Sequence, residues 1–423
     1  MNRYLKIGIT KKIKAGALLL VIGIALILFM LIGLYLLRKG LTHRLLSAAH
    51  TEEQLRYNLQ SAISFLENER EILTSYDFSL FPDLGDSTTI EINNWGFFDT
   101  ALINSRLNNQ NKKGIFLLGG NLGSRDKLPS LYHSDPDRYL SIGGFTYLGT
   151  NTYLPRYGIR KAYVNGVGYY RDSLVYGEQH QAQLKLPNLS EKILLRYKQF
   201  MSNPSASIAT ISPSDDYQSL ALKRSFSDKT YLIESDHDID LRDISLIGNI
   251  IVHSNGNILI DSTTTIDQCI LIGQTIEVKS NFKGRGQLLA QKSIVIDENC
   301  RFYSPSILSV LNISSQGKIT LGKQVFLNGT ILLKSTNSEL VADLKVENTC
   351  KIIGQIYCDA FCDFNGVLFG SLYTNGFIKI TPNSFNQNYL VNACIDIDRM
   401  PAEYSSINIF DNDARLKYTD KLY

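Results

Sequence analysis

The most strongly patterned stretch near the start of the chain is Ala15 to Leu37, AGALLLVIGIALILFMLIGLYLL, 23 residues without a charge. At about 1.5 Å rise per residue it makes roughly 35 Å of helix, enough to cross the hydrocarbon core of a bilayer with some tilt. No polar face interrupts it, which argues against a buried core helix. Beyond it, TEEQLRYNLQSAISFLENEREIL keeps a helical period, with Leu55, Leu59, Ala62, Ile63, Leu66 and Leu73 at i, i+3/i+4 spacing. Glu52, Glu53, Arg56, Glu67, Glu69 and Arg70 occupy much of the remainder. Gly40 and Thr42 offer a break between the two stretches, but nothing demands one. If continuous, residues 15–73 form one helix of roughly 90 Å, half in lipid and half against a soluble domain.

Residues 74–138 predict a small mixed linker domain. TTIEINNWGFFDTALINSRL reads as a strand, a turn at Asn93-Asn94 and a short helix or strand, with polar loops around it. Trp95, Phe97 and Phe98 are expected to seed a small core. From about Tyr139 short β-branched and aromatic runs alternate with Gly, Asn and Ser. The triplets beginning at Ile258, Ile276, Ile294, Ile319, Leu344, Phe361 and Phe377–Ile378 look equivalent, spaced 18, 18, 25, 25, 17 and 17 residues apart when anchored at 258, 276, 294, 319, 344, 361 and 378. About 12 residues after each anchor a second strand begins, at Ile270, Leu288, Ile307, Ile331, Ile356 and Leu372. Between them lies Ile266, Phe282, Phe302, Val325, Ile352 or Val367. Three inward faces per turn is the arithmetic of a three-sided parallel β-helix.

In that fold each turn buries its alternate apolar residues and pairs its backbone with the turns on either side at about 4.8 Å. Corner residues such as Asn255-Gly256, Gly284, Gly322, Asn328-Gly329, Asn365-Gly366 and Asn375-Gly376 are expected to supply positive φ. YLSIGGFTYLGTNTYLPRYGIRKAYVNGVGYY also alternates and is expected to contribute the first one or two turns. A helical and polar insertion near 187–228 then interrupts, and the coil resumes near Thr230. The fold class is therefore mainly β: an N-terminal transmembrane helix continuing into an amphipathic helix, then a three-sided parallel β-helix. The divisions are a cytoplasmic basic tail over 1–14, the transmembrane helix over 15–37, the juxtamembrane helix over 38–73, the linker domain over 74–138, the β-helix over 139–385, and a C-terminal cap or tail over 386–423.

Charge adds direction rather than chemistry. Arg3, Lys6, Lys11, Lys12 and Lys14 precede the apolar run, and Arg38, Lys39 and Arg44 follow it. Five against three places the N-terminus in the cytoplasm and the bulk of the chain outside. The expected location is thus the inner membrane, single-pass, with the C-terminal domain periplasmic. A cleaved signal peptide is the competing reading, since Ser47-Ala48-Ala49 offers small residues, but the apolar run is too long and too far upstream. The whole chain carries 43 Lys+Arg against 40 Asp+Glu, and no basic tract follows residue 44, so no nucleic-acid partner is expected. The six cysteines all lie beyond residue 268 and read as packed thiols rather than a disulfide framework.

Two stretches carry a family resemblance. The basic start followed by Lys14-Ala15-Gly16-Ala17-Leu18-Leu19-Leu20-Val21 and a long apolar helix turning amphipathic resembles the N-termini of type IV pilins and pseudopilins. In that family the helix is the spine by which subunits pack in a filament. Counting from Gly16, Val21 stands where pilins usually carry Glu, so the anchor is expected to be retained. The short turns of residues 230–385 resemble bactofilin-type polymer-forming domains. Residues 143–155, of the form Gly-Gly-x-Thr-x-Leu-Gly-Thr-x-x-Tyr-Leu-Pro, resemble membrane-anchored envelope proteins of Gram-negative bacteria. The resemblances imply a structural protein that associates with itself or with an envelope complex.

Candidate chemistry is sparse. Asp236-His237-Asp238-Ile239-Asp240 opens like a calcium loop, with Asp236, Asp238 and Asp240 as candidate ligands. Leu241 and Ile247 replace the required Gly and Glu, so a solvated corner is the plainer reading. Cys358 and Cys362 lack further ligands for zinc. Lys283-Gly284-Arg285-Gly286 reads as a corner rather than a phosphate loop. No nucleophile or metalloprotease motif occurs, so no catalytic residue, cofactor or metal is assigned. The leading expectation is a non-enzymatic, membrane-anchored envelope structural or assembly protein, with the lipid bilayer and its own copies or an envelope complex as partners. The alternative is a membrane-tethered β-helix that binds a polysaccharide, or cleaves one as a lyase or hydrolase from stacked acidic residues.

Overall fold

The computed structural model describes residues 15–69, 73–122, 127–164, 166–202, 209–211, 221–311, 316–336, 341–381, 384–411 and 415–422. The basic residues Arg3 to Lys14, Arg70, and residues 203–208 and 212–220 of the polar insertion lie outside them. The protein is mainly β, with one long apolar helix at the start.

Helix α1, Ala15–Asn68, runs unbroken through Gly40 and Thr42 for about 80 Å. Thr42 Oγ1 turns back to the Arg38 carbonyl at 2.9 Å, so the hydroxyl is satisfied within the helix. The helix ends at Asn68 rather than reaching Leu73. Its first half exposes leucine, isoleucine and phenylalanine on every side, and it is long and apolar enough to cross a membrane.

The second half of α1 lies on an antiparallel sheet. Its strands are β1 (Ser75–Phe78), β2 (Asp86–Trp95), β3 (Phe98–Leu107) and β4 (Gln110–Gly120), joined in order and completed by the C-terminal strand Leu416–Lys421 beside β4. The tight turn between β2 and β3 falls at Gly96-Phe97, not at Asn93-Asn94, because Gly96 accepts φ +63°. Leu59, Ala62 and Leu66 of α1 meet Ile90, Ala101, Ile103, Phe116, Leu118 and Leu416 in one apolar cluster.

Most of the remaining strands form a closed, almost wholly parallel assembly, with Ser384–Gln387 paired antiparallel to its neighbour, and Leu140–Gly143, Ile159–Lys161 and Tyr389–Val391 make a separate three-stranded parallel sheet. One set of pairings links Ile239, Ile258, Ile276, Ile294, Ile319, Leu344, Cys362 and Phe377 in register from turn to turn. A second links Ile233, Val252, Leu271, Leu288, Leu308, Ile331, Ile356 and Leu372. A third links Phe302, Leu327, Ile352, Leu368, Ile395 and Leu148. All of these side chains join the main core.

Several sequence expectations shift here. The triplet at 361 slips by one residue: Leu344 pairs with Cys362, and Cys362 with Phe377. Ile270 and Ile307 face outward, into the core shared with the antiparallel sheet, while their neighbours Leu271 and Leu308 point inward. In the third set Val325 is buried in the core as expected and Leu327 joins it, while at the next turn Leu368 takes the inward position and the expected Val367 is only half-buried. Left-handed corners are supplied by Asp243, Asn281, Asn299, Gln324 and Thr349, and none of the expected corner glycines has positive φ. Those glycines serve close approach instead: a Cβ on Gly329 would stand 2.0 Å from the Ser306 carbonyl oxygen. Lys283-Gly284-Arg285-Gly286 is part of strand Lys283–Ile296, not a corner.

The segment expected to form the first turns sits at the other end. Leu131–His133 pairs in parallel with Leu372–Thr374, Thr152–Leu154 follows on it, and Gln179–Gln181 follows in turn. Cys394-Ile395 is sandwiched between Val367-Leu368 and Tyr147-Leu148. Residues 131–181 therefore extend the stack beyond its C-terminal turns. The C-terminal residues are not a free tail: 384–395 continue the pairing and 416–421 close the antiparallel sheet.

Candidate functional site: the junction of helix, sheet and parallel stack

Three elements meet at one seam: the face of the antiparallel sheet away from α1, the short helix α2 (Glu191–Ser202), and one outer face of the parallel stack. Trp95, Phe97, Phe98 and Leu117 of the sheet and Ile193 and Tyr197 of α2 bury against Ile251, Ile270, Leu289, Ile307, Leu332, Tyr357 and Tyr373. Outward positions on this face are apolar because they are covered, which is why simple alternation fails there.

Polar groups set the registration of the seam. Gln287 stands in an otherwise apolar run of the stack and reaches the β2–β3 turn. Its Oε1 accepts the Phe97 N–H at 2.8 Å, and its Nε2 donates to the Trp95 carbonyl at 3.0 Å. The amide thus continues the backbone pairing of the hairpin. A Cβ at Gly96 would lie 2.1 Å from Gln287 Oε1, so glycine is required there both for its conformation and for this contact. The Trp95 indole N–H donates to the Gln268 carbonyl at 3.1 Å.

Asp99 on β3 is buried beside Arg196 of α2, and the two side chains are 9% and 7% exposed. Arg196 also donates to the Phe97 carbonyl at 2.8 Å, and Lys192 reaches Asp99 at 2.8 Å. The Tyr197 hydroxyl donates to the Ala290 carbonyl at 2.7 Å, and burial pushes its pKa up to about 12. At the sheet's other edge Arg285 of the stack pairs with both Asp267 and Asp420 of the C-terminal strand. On the α1 side, Asn58 is fully buried and donates to Asp86 at 2.9 Å and to Ser105 at 3.1 Å. Anchor helix, sheet and stack are thereby fastened by buried hydrogen bonds as well as apolar contact.

The residues singled out by sequence do not converge. Asp236 accepts from Asn255 Nδ2 at 2.8 Å, Asp238 accepts from the Asn257 backbone N–H at 2.7 Å, and Asp240 pairs with Arg242. Each carboxylate is turned to its own corner. Among the described residues no group of three His, Cys, Asp or Glu side chains is arranged to hold a metal ion. The six cysteines are all unbridged. Cys358 and Cys362 are buried in the stack, and burial raises both thiols; Cys300 and Cys350 are pushed up to about 11 for the same reason. Such thiols are poor nucleophiles at neutral pH.

Sequence reading missed Asp99, Arg196 and Gln287. Each is separated in sequence from its partner by roughly a hundred residues or more, and its only signal was a lone polar residue among apolar neighbours. No family of known proteins, no curated protein and no solved structure matches the chain.

Proposed function

We propose that the protein is a non-enzymatic scaffold of the bacterial envelope. The start of α1 crosses the inner membrane with its N-terminus in the cytoplasm, and the parallel stack forms a three-sided β-helical rod in the periplasm. There it assembles with its own copies or with a pilus-like or secretion apparatus. One observation carries the reading: α1 is a single helix whose first half is apolar on all sides and whose second half is bolted to the sheet. An anchor continuous with the folded body transmits position and force from the bilayer to the stack. Three columns of parallel pairing from turn to turn support the rod. The pilin-like and bactofilin-like resemblances of the two parts favour assembly over catalysis.

Protease protection on spheroplasts tests the arrangement. A tag after residue 5 is expected to stay shielded while residues 139–423 are digested; the reverse pattern overturns the topology. N-terminal sequencing of the mature protein is expected to find the anchor retained, and a start at Ala17 or His50 would overturn that part.

A further inference from the structure

Residues 139–176 lie at the end of the chain's stacked strands and are rich in aromatic side chains. Aromatic rings meet there in pairs: Tyr139 with Tyr157 at 5.4 Å between centroids, Phe145 with Tyr170 at 5.1 Å, and the half-buried Tyr147 with Tyr176 at 4.7 Å. The first pair opens a pocket of about 460 Å³, whose lining Phe385 and Tyr389 help to complete. Tyr139 and Tyr157 are each 44% exposed and Phe385 46%, values far above those of core aromatics.

Two arginines share this lining. Arg138 donates to Gln387 Oε1 at 2.8 Å, and Arg160 Nε donates to Ser141 Oγ at 3.0 Å. The Arg160 guanidinium lies 5.2 Å from the Tyr139 ring centre. Each is oriented by one neutral hydrogen bond, which leaves further N–H donors open. Among the described residues the lining has one acid, Asp137, and it is engaged by Arg156 outside the pocket. The pocket is therefore positively biased.

Its composition narrows the ligand. Among the described residues the lining holds aromatic, guanidinium, amide, hydroxyl and carboxylate groups and no aliphatic side chain. An apolar peptide anchor would find no aliphatic wall. A pyranose ring fits better: its C–H face lies against the electron-rich face of a tyrosine, and its hydroxyls meet amides and hydroxyls at the rim. Arginine forks match a carboxylate on such a ring. We propose that this pocket binds a residue of an anionic, uronic-acid-type oligosaccharide. The neighbouring aromatic pairs offer platforms for adjoining sugars. The inference does not depend on whether the protein assembles with its own copies.

Isothermal titration of the full chain in detergent micelles with trigalacturonate tests it. Maltotriose serves as the uncharged sugar and triglutamate as the acidic peptide. Trigalacturonate is expected to bind at least ten-fold tighter than either. Tyr157→Ala and Arg160→Gln should each weaken it at least ten-fold while the far-ultraviolet circular dichroism stays unchanged. Arg242→Gln, on a turn elsewhere in the stack, should bind like wild type. If Arg160→Gln fails to fold, Arg138→Gln carries the same arm. Absence of trigalacturonate binding, equal binding of maltotriose or triglutamate, or insensitivity to both pocket substitutions would each overturn the assignment.

Discussion

Ile294 lies between Ile276 and Ile319 in one inward column, and all three are fully buried. Replacing it with Asp removes the burial of one isoleucine, about 2–3 kcal/mol, and places a carboxyl in an apolar interior. At pH 7 the group would have to stay protonated, at about 1.4 kcal/mol for each unit above its ordinary pKa near 3.9, or roughly 4 kcal/mol. The expected loss is thus about 6 kcal/mol. The protonation part is present above pH 4 and fades as the pH falls to 4, so the deficit against wild type should shrink toward 2–3 kcal/mol in acid. Because the strand of Ile294 pairs directly with those of Ile276 and Ile319, the damage should fall first on residues 258–331, which should become protease-sensitive before the rest. Glu277 is one position along, half-exposed and paired with Lys279 at 2.8 Å. Glu277→Ala should therefore cost under about 0.5 kcal/mol. Urea melts at pH 7 and pH 4, with limited proteolysis, check both variants. If Ile294→Asp melts like wild type while Glu277→Ala collapses, the inward and outward faces are assigned the wrong way round.

Two further outcomes follow from buried polar groups. His133 is fully buried, with its ring stacked 5.4 Å from Phe377, and burial pushes its pKa down to about 4 against the opposing influence of Asn388 and Asp135. The unfolded chain takes up this proton near pH 6.5 and the folded chain only near 4, so acidification from 7.5 to 5.5 should cost about 1.4 kcal/mol, a slope that His133→Phe removes; equal pH dependence of the two proteins in thermal melts would contradict this. Gln287→Leu leaves the Phe97 N–H and the Trp95 carbonyl without partners in a buried seam, about 2–4 kcal/mol against docking of the hairpin. Trp95 is the chain's single tryptophan, so its emission should shift red at lower urea than the loss of circular dichroism, and coincident, unshifted transitions would refute the role given to Gln287.

The apolar run Ala15–Leu37 and the amphipathic period after it were legible in sequence because helix length and amphipathicity depend only on local order. The equivalence of Ile258, Ile276, Ile294, Ile319 and Leu344 was legible too, since a stacked column demands an apolar residue at every turn. The slip at Phe361 shows the limit. Phe361, Cys362 and Phe364 are all apolar, and only the pairing of Leu344 with Cys362 decides which point inward. The same holds at Ile270 and Ile307. Both faces of that strand set are covered, one by the interior and one by the sheet and α2, so the alternation that reveals a face is erased. The buried pair Asp99 and Arg196 joins β3 to α2, which are adjacent only after the sheet has docked. The position of residues 131–181 was hidden for a deeper reason. Backbone hydrogen bonding is blind to side-chain identity and to chain order, so an open turn accepts any strand of suitable length. Which strand extends Leu372–Thr374 is decided by the path of the whole chain, which crosses the antiparallel sheet before it winds.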